Sequence, residues 1–198
     1  MRRLIVATRN KGKIAEISKL LEGMQFEVMS MEQAGMQAEI EETGYSFQEN
    51  CMIKAKTIFD AIGGAVLADD SGLEVDYLNG APGIYSSRFA GENATDADRV
   101  RKLLRLMEGV PKEKRNARFV CAVTAILEDG RVLMDSAVCE GYIAGEPKGN
   151  NGFGYDPVFF LPELNMTMAE IDSDTKNKIS HRAKALQLIK DQMTKYYG

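Results

Sequence analysis

The chain begins with a short apolar run, Leu4 to Ala7, that passes directly into a polar turn, Thr8 to Lys13, and then into a helical pattern. The apolar residues after the turn recur at the spacing of one helix face: Ile14, Ile17, Leu20 and Leu21. Either Thr8 or Asn10 is available as the N-cap of this helix. The pattern therefore predicts a strand, a tight turn and a helix at the start of the fold.

Three cations, Arg9, Lys11 and Lys13, fall in the turn where this helix is expected to begin. A helix N-terminus carries partial positive charge and unpaired N–H groups, so cations there are unfavourable unless an anion is bound. Phosphate is the natural anion for such a position. The alternative is that these side chains are solvated surface. The turn is also not a P-loop, because G-x-x-x-x-G-K-[ST] is absent.

Composition limits the possible classes of protein. With 198 residues, of which 44% are hydrophobic and 27% charged, the chain suits one large globular domain with a sizeable core. A formal net charge of -4 argues against a nucleic acid as the main partner, because nonspecific binding to a polyanion needs a surplus of Lys and Arg. No apolar run is long enough for a signal peptide or a membrane span, so a cytoplasmic protein without a membrane partner is expected.

The three cysteines are interpreted as small buried hydrophobes: Cys51, Cys121 and Cys139.

A second helix is predicted after Ser46, which forms a capping-box pattern with Glu49. Its expected core face is formed by Phe47, Cys51, Ala55, Ile58 and Ile62. Two glycines, Gly63 and Gly64, end the helix. The apolar run that follows, Ala65 to Ala68, predicts a short strand covered on both faces and ending at polar residues 69–72.

The second half of the chain predicts a helix from about Thr95 to Met107 and then a β-hairpin. The two hairpin strands, Arg118 to Leu127 and Arg131 to Val138, are joined around Asp129 and Gly130. Antiparallel strands added to the early parallel ones predict a mixed sheet. A final helix is predicted from about Ser180.

Two adjacent acids, Asp69 and Asp70, follow the buried strand at the position where open α/β sheets place their ligands. Because adjacent residues of an extended chain point to opposite sides, only one of the two can face a site directly, and the other should organise the loop. Charges at such a position are costly to bury unless they are paired or metal-bound, and Mg²⁺ prefers oxygen ligands. Glu41 and Glu42 form a second acidic pair, for which a solvated loop is the alternative.

The loop from Gly145 to Pro157 is rich in Gly and Asn. Phe153 lies between two glycines, so its backbone can approach a ligand closely and its ring is available to stack on a flat base. A phenylalanine packed into the core is the alternative. Asp156 precedes a proline and is predicted to be an extended, fixed acceptor.

Cations recur near the last helix, where Lys176 and Lys178 precede Ser180, His181 and Arg182. A lone histidine commonly has a packing role, but its cationic neighbours favour an anion or carbonyl site. His181 is the only histidine in the chain, so a multi-histidine metal centre is excluded.

Six short segments, taken in their order and spacing, resemble the inosine triphosphate pyrophosphatase family. They are Thr8–Lys13, Glu41–Gly44, Ala68–Leu73, Gly80–Ile84, Gly152–Pro157 and Ile179–Arg182. The resemblance implies hydrolysis of aberrant purine nucleoside triphosphates (ITP, dITP, XTP) to the monophosphate and pyrophosphate with Mg²⁺. It also implies an α/β fold with an elongated mixed sheet flanked by helices, formed by a single domain over residues 1–198. Two lobes with a substrate cleft between them, and usually a homodimer, are further implications.

The resemblance also implies roles for individual residues. The triphosphate would be held by Thr8, Arg9, Asn10, Lys11, Gly12, Lys13 and Lys54. Asp70 would be the catalytic proton acceptor and a metal ligand, and Ser71 would touch the substrate. Between the two adjacent glutamates, Glu41 is favoured over Glu42 as the second metal ligand. The base would be held by Phe153, Gly154, Tyr155 and Asp156, and its 6-oxo group would be recognised by Lys176, His181 and Arg182.

Donors placed opposite a 6-oxo group would leave the amino group of adenine facing another donor, which explains a rejection of ATP. A pyrophosphatase for modified pyrimidine nucleotides is a second hypothesis, since it would share the phosphate-binding residues without needing His181 and Arg182. A non-catalytic nucleotide sensor is a third. The adjacent acids at 69 and 70 argue against it, because carboxylates beside an anionic ligand weaken binding unless a metal intervenes.

Overall fold

The computed structural model describes residues 2–37 and 40–197, and the other residues of the expected 1–198 domain lie outside this description. The chain divides into two compact units. Unit 1 contains Met1–Asp70, Cys121–Ala137 and Arg182–Gly198, and unit 2 contains Ser71–Val120 and Val138–His181. In chain order the strands and α-helices are β1 (Arg2–Val6), α1 (Lys11–Leu20), β2 (Phe26–Ser30), α2 (Phe47–Ile62), β3 (Ala65–Val75), α3 (Asp96–Leu106), β4 (Asn116–Ile126), β5 (Val132–Ile143), β6 (Phe159–Leu161), β7 (Met166–Thr167), α4 (Ser173–Ile179) and α5 (His181–Tyr197).

The strands form one mixed sheet in the order β2-β1-β3-β4-β5-β6-β7. β1 pairs in parallel with both β2 and β3, so that Leu4 lies opposite Val28 on one side and Ala65 on the other. β6 pairs antiparallel with β5 and with β7. The α/β class and the mixed sheet flanked by helices, both predicted from the sequence, are thereby confirmed.

Each unit has its own apolar core. In unit 1, α1 and α5 contribute buried residues to a cluster with the strands, among them Ile17, Leu186 and Ile189. In unit 2, the core gathers α3 and the later strands, with Leu103 and Phe159 fully buried. Close packing of this kind fixes the strand ends and helix starts that carry the polar side chains described below.

Several local predictions are confirmed. Asn10 is the N-cap of α1, and Ser46 caps α2 by accepting a hydrogen bond from the Glu49 N–H. The Glu49 carboxylate, however, accepts from the Tyr45 N–H rather than from that of Ser46, so the reciprocal half of the capping box is shifted by one residue. The three cysteines are free and buried, as predicted. Within the described residues, no helix combines the length and the apolar character needed to cross a bilayer.

Two predictions about these elements are wrong, and one helix was not predicted. β3 does not end at Ala68 but continues to Val75, because Asp69 and Asp70 are paired with cations inside the fold. A short helix, α4, occupies residues 173–179, where the sequence lacks an apolar stripe that would have predicted it. Ile62, expected on the core face of α2, is 40% exposed because it lies at the last position of the helix.

Candidate active site

The polar turn after β1 is organised around Asn10. Its side-chain oxygen accepts hydrogen bonds from the N–H groups of Gly12 (2.9 Å) and Lys13 (3.2 Å), and Thr8 accepts one from the Asn10 N–H (3.2 Å). Arg9 is exposed, with its guanidinium 3.5 Å from a carboxylate oxygen of Glu32. No acidic side chain lies in the first turn of α1. Because Asn10 already caps two amides, an anion here would be held mainly by cationic side chains.

Lys13 reaches into a buried charge cluster centred on Asp69, here called the Asp69 cluster: Asp69, Lys13, Arg182 and Glu16. One oxygen of Asp69 lies 2.9 Å from the Lys13 ammonium and 3.2 Å from Arg182 Nε. A second nitrogen of Arg182 pairs with Glu16 of α1. Burial alone would raise the pKa of Asp69, but Lys13 and Arg182 outweigh it and hold that pKa far below the ordinary value of a carboxyl. Asp69 is therefore ionised and ties β3 to α1 and to the start of α5.

The next residue, Asp70, points to the other side of β3 into a second cluster, here called the Asp70 cluster: Asp70, Lys54 and Glu42. The Lys54 ammonium, on α2, lies 2.9 Å from an oxygen of Asp70 and 2.8 Å from one of Glu42. Only 7% of Asp70 and 8% of Lys54 is exposed. The opposite directions of Asp69 and Asp70 agree with the alternation expected of an extended strand.

The pKa values in the Asp70 cluster follow from burial and charge. The pKa of Asp70 is raised, chiefly because the carboxyl is buried and also because Glu42 is near, and these effects exceed the opposing influence of Lys54. Burial by itself lowers the pKa of Lys54, but the surrounding carboxylates of Asp70, Asp69 and Glu42 reverse this and raise it. The arrangement thus pairs a firmly protonated ammonium with a carboxyl of increased basicity.

The structure distinguishes the adjacent glutamates by their contact with Lys54. Glu41, favoured from the sequence, is exposed, whereas Glu42 is partly buried and accepts a hydrogen bond from Lys54. Because the two residues are consecutive, the sequence alone could not show which one turns inward. Ser71 follows Asp70 on β3 and is partly exposed.

In unit 2, the glycine-rich segment 152–156, here called the Phe153 loop, is held by Asp156. One carboxylate oxygen of Asp156 accepts from the Phe153 N–H (2.9 Å) and lies 2.7 Å from the Lys176 ammonium of α4. A Cβ added to Gly152, whose φ is +75°, would lie 2.0 Å from the same oxygen, so only glycine fits there. Asp156 is a fixed acceptor, as predicted, but it begins a 3₁₀ turn (Asp156–Val158), so the predicted extended conformation is wrong.

The Lys176 ammonium also lies 4.7 Å from the centre of the Phe153 ring. Phe153 is partly buried, while Lys176 and Asp156 are nearly inaccessible. A cation beside an aromatic ring is favourable, and here it fixes the ring relative to α4. The Phe153 loop therefore presents an oriented ring with a cation next to it.

The end of the Phe153 loop is anchored to α3. The Gly154 N–H donates a 2.7 Å hydrogen bond to Asp96, which is paired with Arg99. Arg99 in turn donates to the backbone carbonyls of Ser87 (2.8 Å) and Ala94 (2.7 Å). Neither Asp96 nor Arg99 was selected from the sequence. An acid in the first turn of a helix is favourable next to the positive end of the helix dipole, so Asp96 did not indicate a further role.

The structure also places three further predicted site residues inside the fold. The Tyr155 hydroxyl donates to the Ser86 carbonyl (2.8 Å), and burial raises the pKa of Tyr155. His181 is buried and stacks on Phe119, with ring centres 4.8 Å apart. Arg182 is only 2% exposed, and its guanidinium contacts the carboxylates of Asp69 and Glu16.

The predicted residues thus fall into one set within each unit. Unit 1 brings together Lys13, Lys54, Asp70 and Arg182, and unit 2 brings together Phe153, Gly154, Asp156 and Lys176. Glu16 was missed in the sequence, although its position three residues after Lys13 on one helix places both on the same face.

Comparison with known proteins shows similarity over nearly the whole chain. Residues 4–192 match the model of the Ham1 family. A protein of Bacillus licheniformis named dITP/XTP pyrophosphatase is 50% identical over 189 residues, covering 96% of this chain and 96% of that protein. A protein of the same name from Bacillus subtilis is 46% identical, with 96% of each chain covered.

Solved structures give the same result. A HAM1 protein from Coxiella burnetii superposes with a TM-score of 0.89 at 42% identity, covering 98% of this chain and 100% of that one. The Ham1 protein of Staphylococcus aureus has the same TM-score at 36% identity and the same coverage. The names of these relatives confirm the resemblance found in the sequence motifs. This chain belongs to the Ham1 family.

Proposed function

We propose that this protein hydrolyses aberrant purine nucleoside triphosphates, namely ITP, dITP and XTP, to the nucleoside monophosphate and pyrophosphate. Its relatives are named dITP/XTP pyrophosphatases. The observation that carries the proposal is the Asp70 cluster, in which a buried carboxyl of raised pKa lies 2.9 Å from the Lys54 ammonium. Such a carboxyl is suited to take a proton from water, because a general base works best when its pKa approaches the working pH.

The cationic side chains of unit 1 suit a triphosphate. Lys13 and Lys54 are held by buried carboxylates, while Arg9 in the turn before α1 and Lys11 at the first position of α1 are exposed. Fixed positive charge lowers the barrier of phosphoryl transfer by stabilising the charge that develops on the phosphate oxygens. We assign these four side chains and the Thr8–Lys13 turn to phosphate binding.

The Asp70 cluster also fits a magnesium ion. Mg²⁺ is commonly bound by one or two carboxylates together with substrate phosphates. Glu42 and Asp70 supply two carboxylates, which both contact the Lys54 ammonium. We therefore propose Mg²⁺ as the cofactor, with Glu42 in the place that the resemblance gave to Glu41. When bound, the ion would offset phosphate charge and orient the triphosphate.

Asp70 is proposed to accept a proton from the attacking water. The water oxygen forms a bond to the α-phosphorus as the bond from that phosphorus to the bridging oxygen breaks, and pyrophosphate leaves. The proton passes to the Asp70 carboxylate, and Lys54 keeps its own proton because its pKa is raised. No covalent enzyme intermediate is needed.

The residues of the Phe153 loop suit a purine base. Phe153 offers a ring face for stacking, and Lys176 and the backbone near His181 are donors appropriate to a 6-oxo group. Adenine would present its amino group to those donors and leave them unpaired, which is costly. We assign Arg182 to holding Asp69 and Glu16 rather than to the base, because its guanidinium contacts both carboxylates. We further propose that the chain acts as one domain, in the cytoplasm and as a homodimer, as the family resemblance implies.

A panel of nucleoside triphosphates with separate detection of pyrophosphate and orthophosphate, with and without Mg²⁺, tests this proposal. Pyrophosphate released from ITP, dITP and XTP, and far more slowly from ATP and GTP, is expected. Orthophosphate as the first product would overturn the proposed reaction. Preference for modified pyrimidine triphosphates would overturn the proposed substrate, and binding without turnover would indicate a sensor.

A further inference from the structure

The acidic loop before α2, residues 41–45, is fastened to that helix by a buried amide side chain. The Asn50 side chain is fully buried, and its oxygen accepts a 2.8 Å hydrogen bond from the Gly44 N–H. The neighbouring Tyr45 N–H donates to the Glu49 carboxylate (2.6 Å). Two successive amides of the loop are therefore held by two successive side chains of the first turn of α2.

The loop passes so close to α2 that a side chain would not fit at Gly44. An added Cβ would lie 2.7 Å from Glu49 Cβ and 2.8 Å from the Asn50 oxygen. Real Cβ atoms do not make contacts this short, so the close approach depends on glycine. The backbone position of the loop is thus set by contact with the helix as well as by hydrogen bonds.

The same helix face continues to the Asp70 cluster. Lys54 lies four residues after Asn50 on α2, which places both side chains on one face. Lys54 holds the Glu42 carboxylate at 2.8 Å and Asp70 at 2.9 Å. Glu42 is only two residues before Gly44, so a shift of the Gly44 backbone would move Glu42 as well.

The Asn50 amide makes one good contact rather than several. In the described part of the chain, its nitrogen has no hydrogen-bond partner, although the side chain is buried. An unpaired buried donor is unfavourable, so the contribution of this side chain lies in its oxygen. A hydrogen bond from a loop amide to a buried acceptor holds the loop backbone in place. Such a bond is a common way to orient a neighbouring functional group.

We propose that Asn50 is a positioning residue, which holds the acidic loop against α2 so that the Glu42 carboxylate meets Lys54 beside Asp70. The importance of this position for catalysis rests on the proposed function, in which Glu42 and Asp70 bind Mg²⁺. The contact itself does not depend on that function, so the two can be tested separately.

The first test uses the metal-free protein. Asn50→Ala should make the Gly44 amide exchange with solvent about 10-fold faster, as expected for the loss of one hydrogen bond. Asn50→Asp keeps the acceptor oxygen and should retain the protection. Thr57→Val is the matched control, because it removes the Thr57 hydrogen bond to the Ile53 carbonyl (2.7 Å) in the same helix without touching the loop.

The second test combines Asn50→Ala with Glu42→Gln in the metal-free protein. If Asn50 acts by placing Glu42, the two losses in melting temperature will be less than additive, since the residues share one structural unit. Titration with Mn²⁺ alone, followed by its electron paramagnetic resonance signal, adds a binding measurement. Asn50→Ala should weaken Mn²⁺ binding about 10-fold, and should weaken it no further in the Glu42→Gln background.

Unchanged Gly44 exchange, or additive losses in melting temperature, would overturn the positioning role of Asn50. If Glu42→Gln weakens Mn²⁺ binding, then faster exchange with unchanged Mn²⁺ affinity in Asn50→Ala would overturn it as well, because the residue would then only stabilise the loop. If Glu42→Gln leaves Mn²⁺ binding unchanged, the role of Glu42 as a metal ligand is refuted instead. Absence of Mn²⁺ binding to the wild type would refute the proposed metal site, while exchange and melting would still decide the role of Asn50.

Discussion

Asp69 and Asp70 are consecutive in β3, yet their carboxylates contact different lysines: Asp69 lies 2.9 Å from the Lys13 ammonium and Asp70 lies 2.9 Å from that of Lys54. The two environments shift the pKa values in opposite directions, lowering that of Asp69 and raising that of Asp70. Adjacent groups with opposite shifts are suited to different tasks. We infer that Asp69 maintains the structure and that Asp70 takes part in the reaction.

Asp70→Asn should reduce the turnover of dITP by at least about 100-fold, which is the usual contribution of a general base. The fold should survive, because the substitution removes a buried carboxyl that is costly to ionise and leaves Lys54 paired with Glu42. Steady-state kinetics and thermal melting of the same preparations check both statements. Normal turnover in Asp70→Asn would remove the residue from the mechanism.

Asp69→Asn should act mainly on stability. At neutral pH the change leaves the partly buried Lys13 without its carboxylate and the buried Arg182 with Glu16 alone. Breaking a buried ion pair in this way costs about 3–5 kcal/mol in the free energy of unfolding. A carboxyl whose pKa is lowered by folding stabilises the protein at pH values above its pKa in the unfolded chain. This stabilisation is lost as the pH falls through its pKa in the folded protein.

For Asp69 the unfolded value is 3.8, so the stability advantage of the wild type over Asp69→Asn should be complete at neutral pH and should shrink on acidification below that value. Denaturant unfolding at several pH values measures the difference. An advantage that instead grew on acidification would contradict the ion-pair explanation.

Phe153→Ala should raise the KM for dITP by about 5- to 150-fold, since stacking of a base on an aromatic ring contributes about 1–3 kcal/mol. The kcat should change little, because the ring is assigned to the base and not to the phosphates. Phe153→Tyr, which keeps the ring, is the control. An equal loss of kcat in Phe153→Ala would place the ring closer to the reacting phosphate than proposed.

Asp96→Ala should also raise the KM, by about 10-fold, because the Gly154 N–H loses its acceptor and the Phe153 loop loses its anchor on α3. Asp96→Asn keeps an acceptor oxygen and should be closer to the wild type. The comparison of KM in the two variants separates the hydrogen bond from the Asp96 ion pair with Arg99. Identical behaviour of the two variants would show that the charge matters and the hydrogen bond does not.

Much of the fold could be predicted from apolar periodicity and helix caps, as α1 with its Asn10 cap and α2 with its Ser46 cap illustrate. The continuation of β3 through Asp69 and Asp70 could not, because polar residues normally end a buried strand and their partners are distant in sequence. Arg182 is 113 residues away from Asp69, and no local pattern reveals that pairing. The same limitation applies to Glu41 and Glu42, since only the folded loop shows which of the two side chains reaches Lys54.

The most direct measurement of the central claim is hydrolysis of dITP in water enriched in oxygen-18, followed by mass spectrometry of both products. Attack by an activated water on the α-phosphorus predicts one labelled oxygen in the monophosphate and none in the pyrophosphate. Label in the pyrophosphate, with an unlabelled monophosphate, would show attack at the β-phosphorus and contradict the proposed reaction.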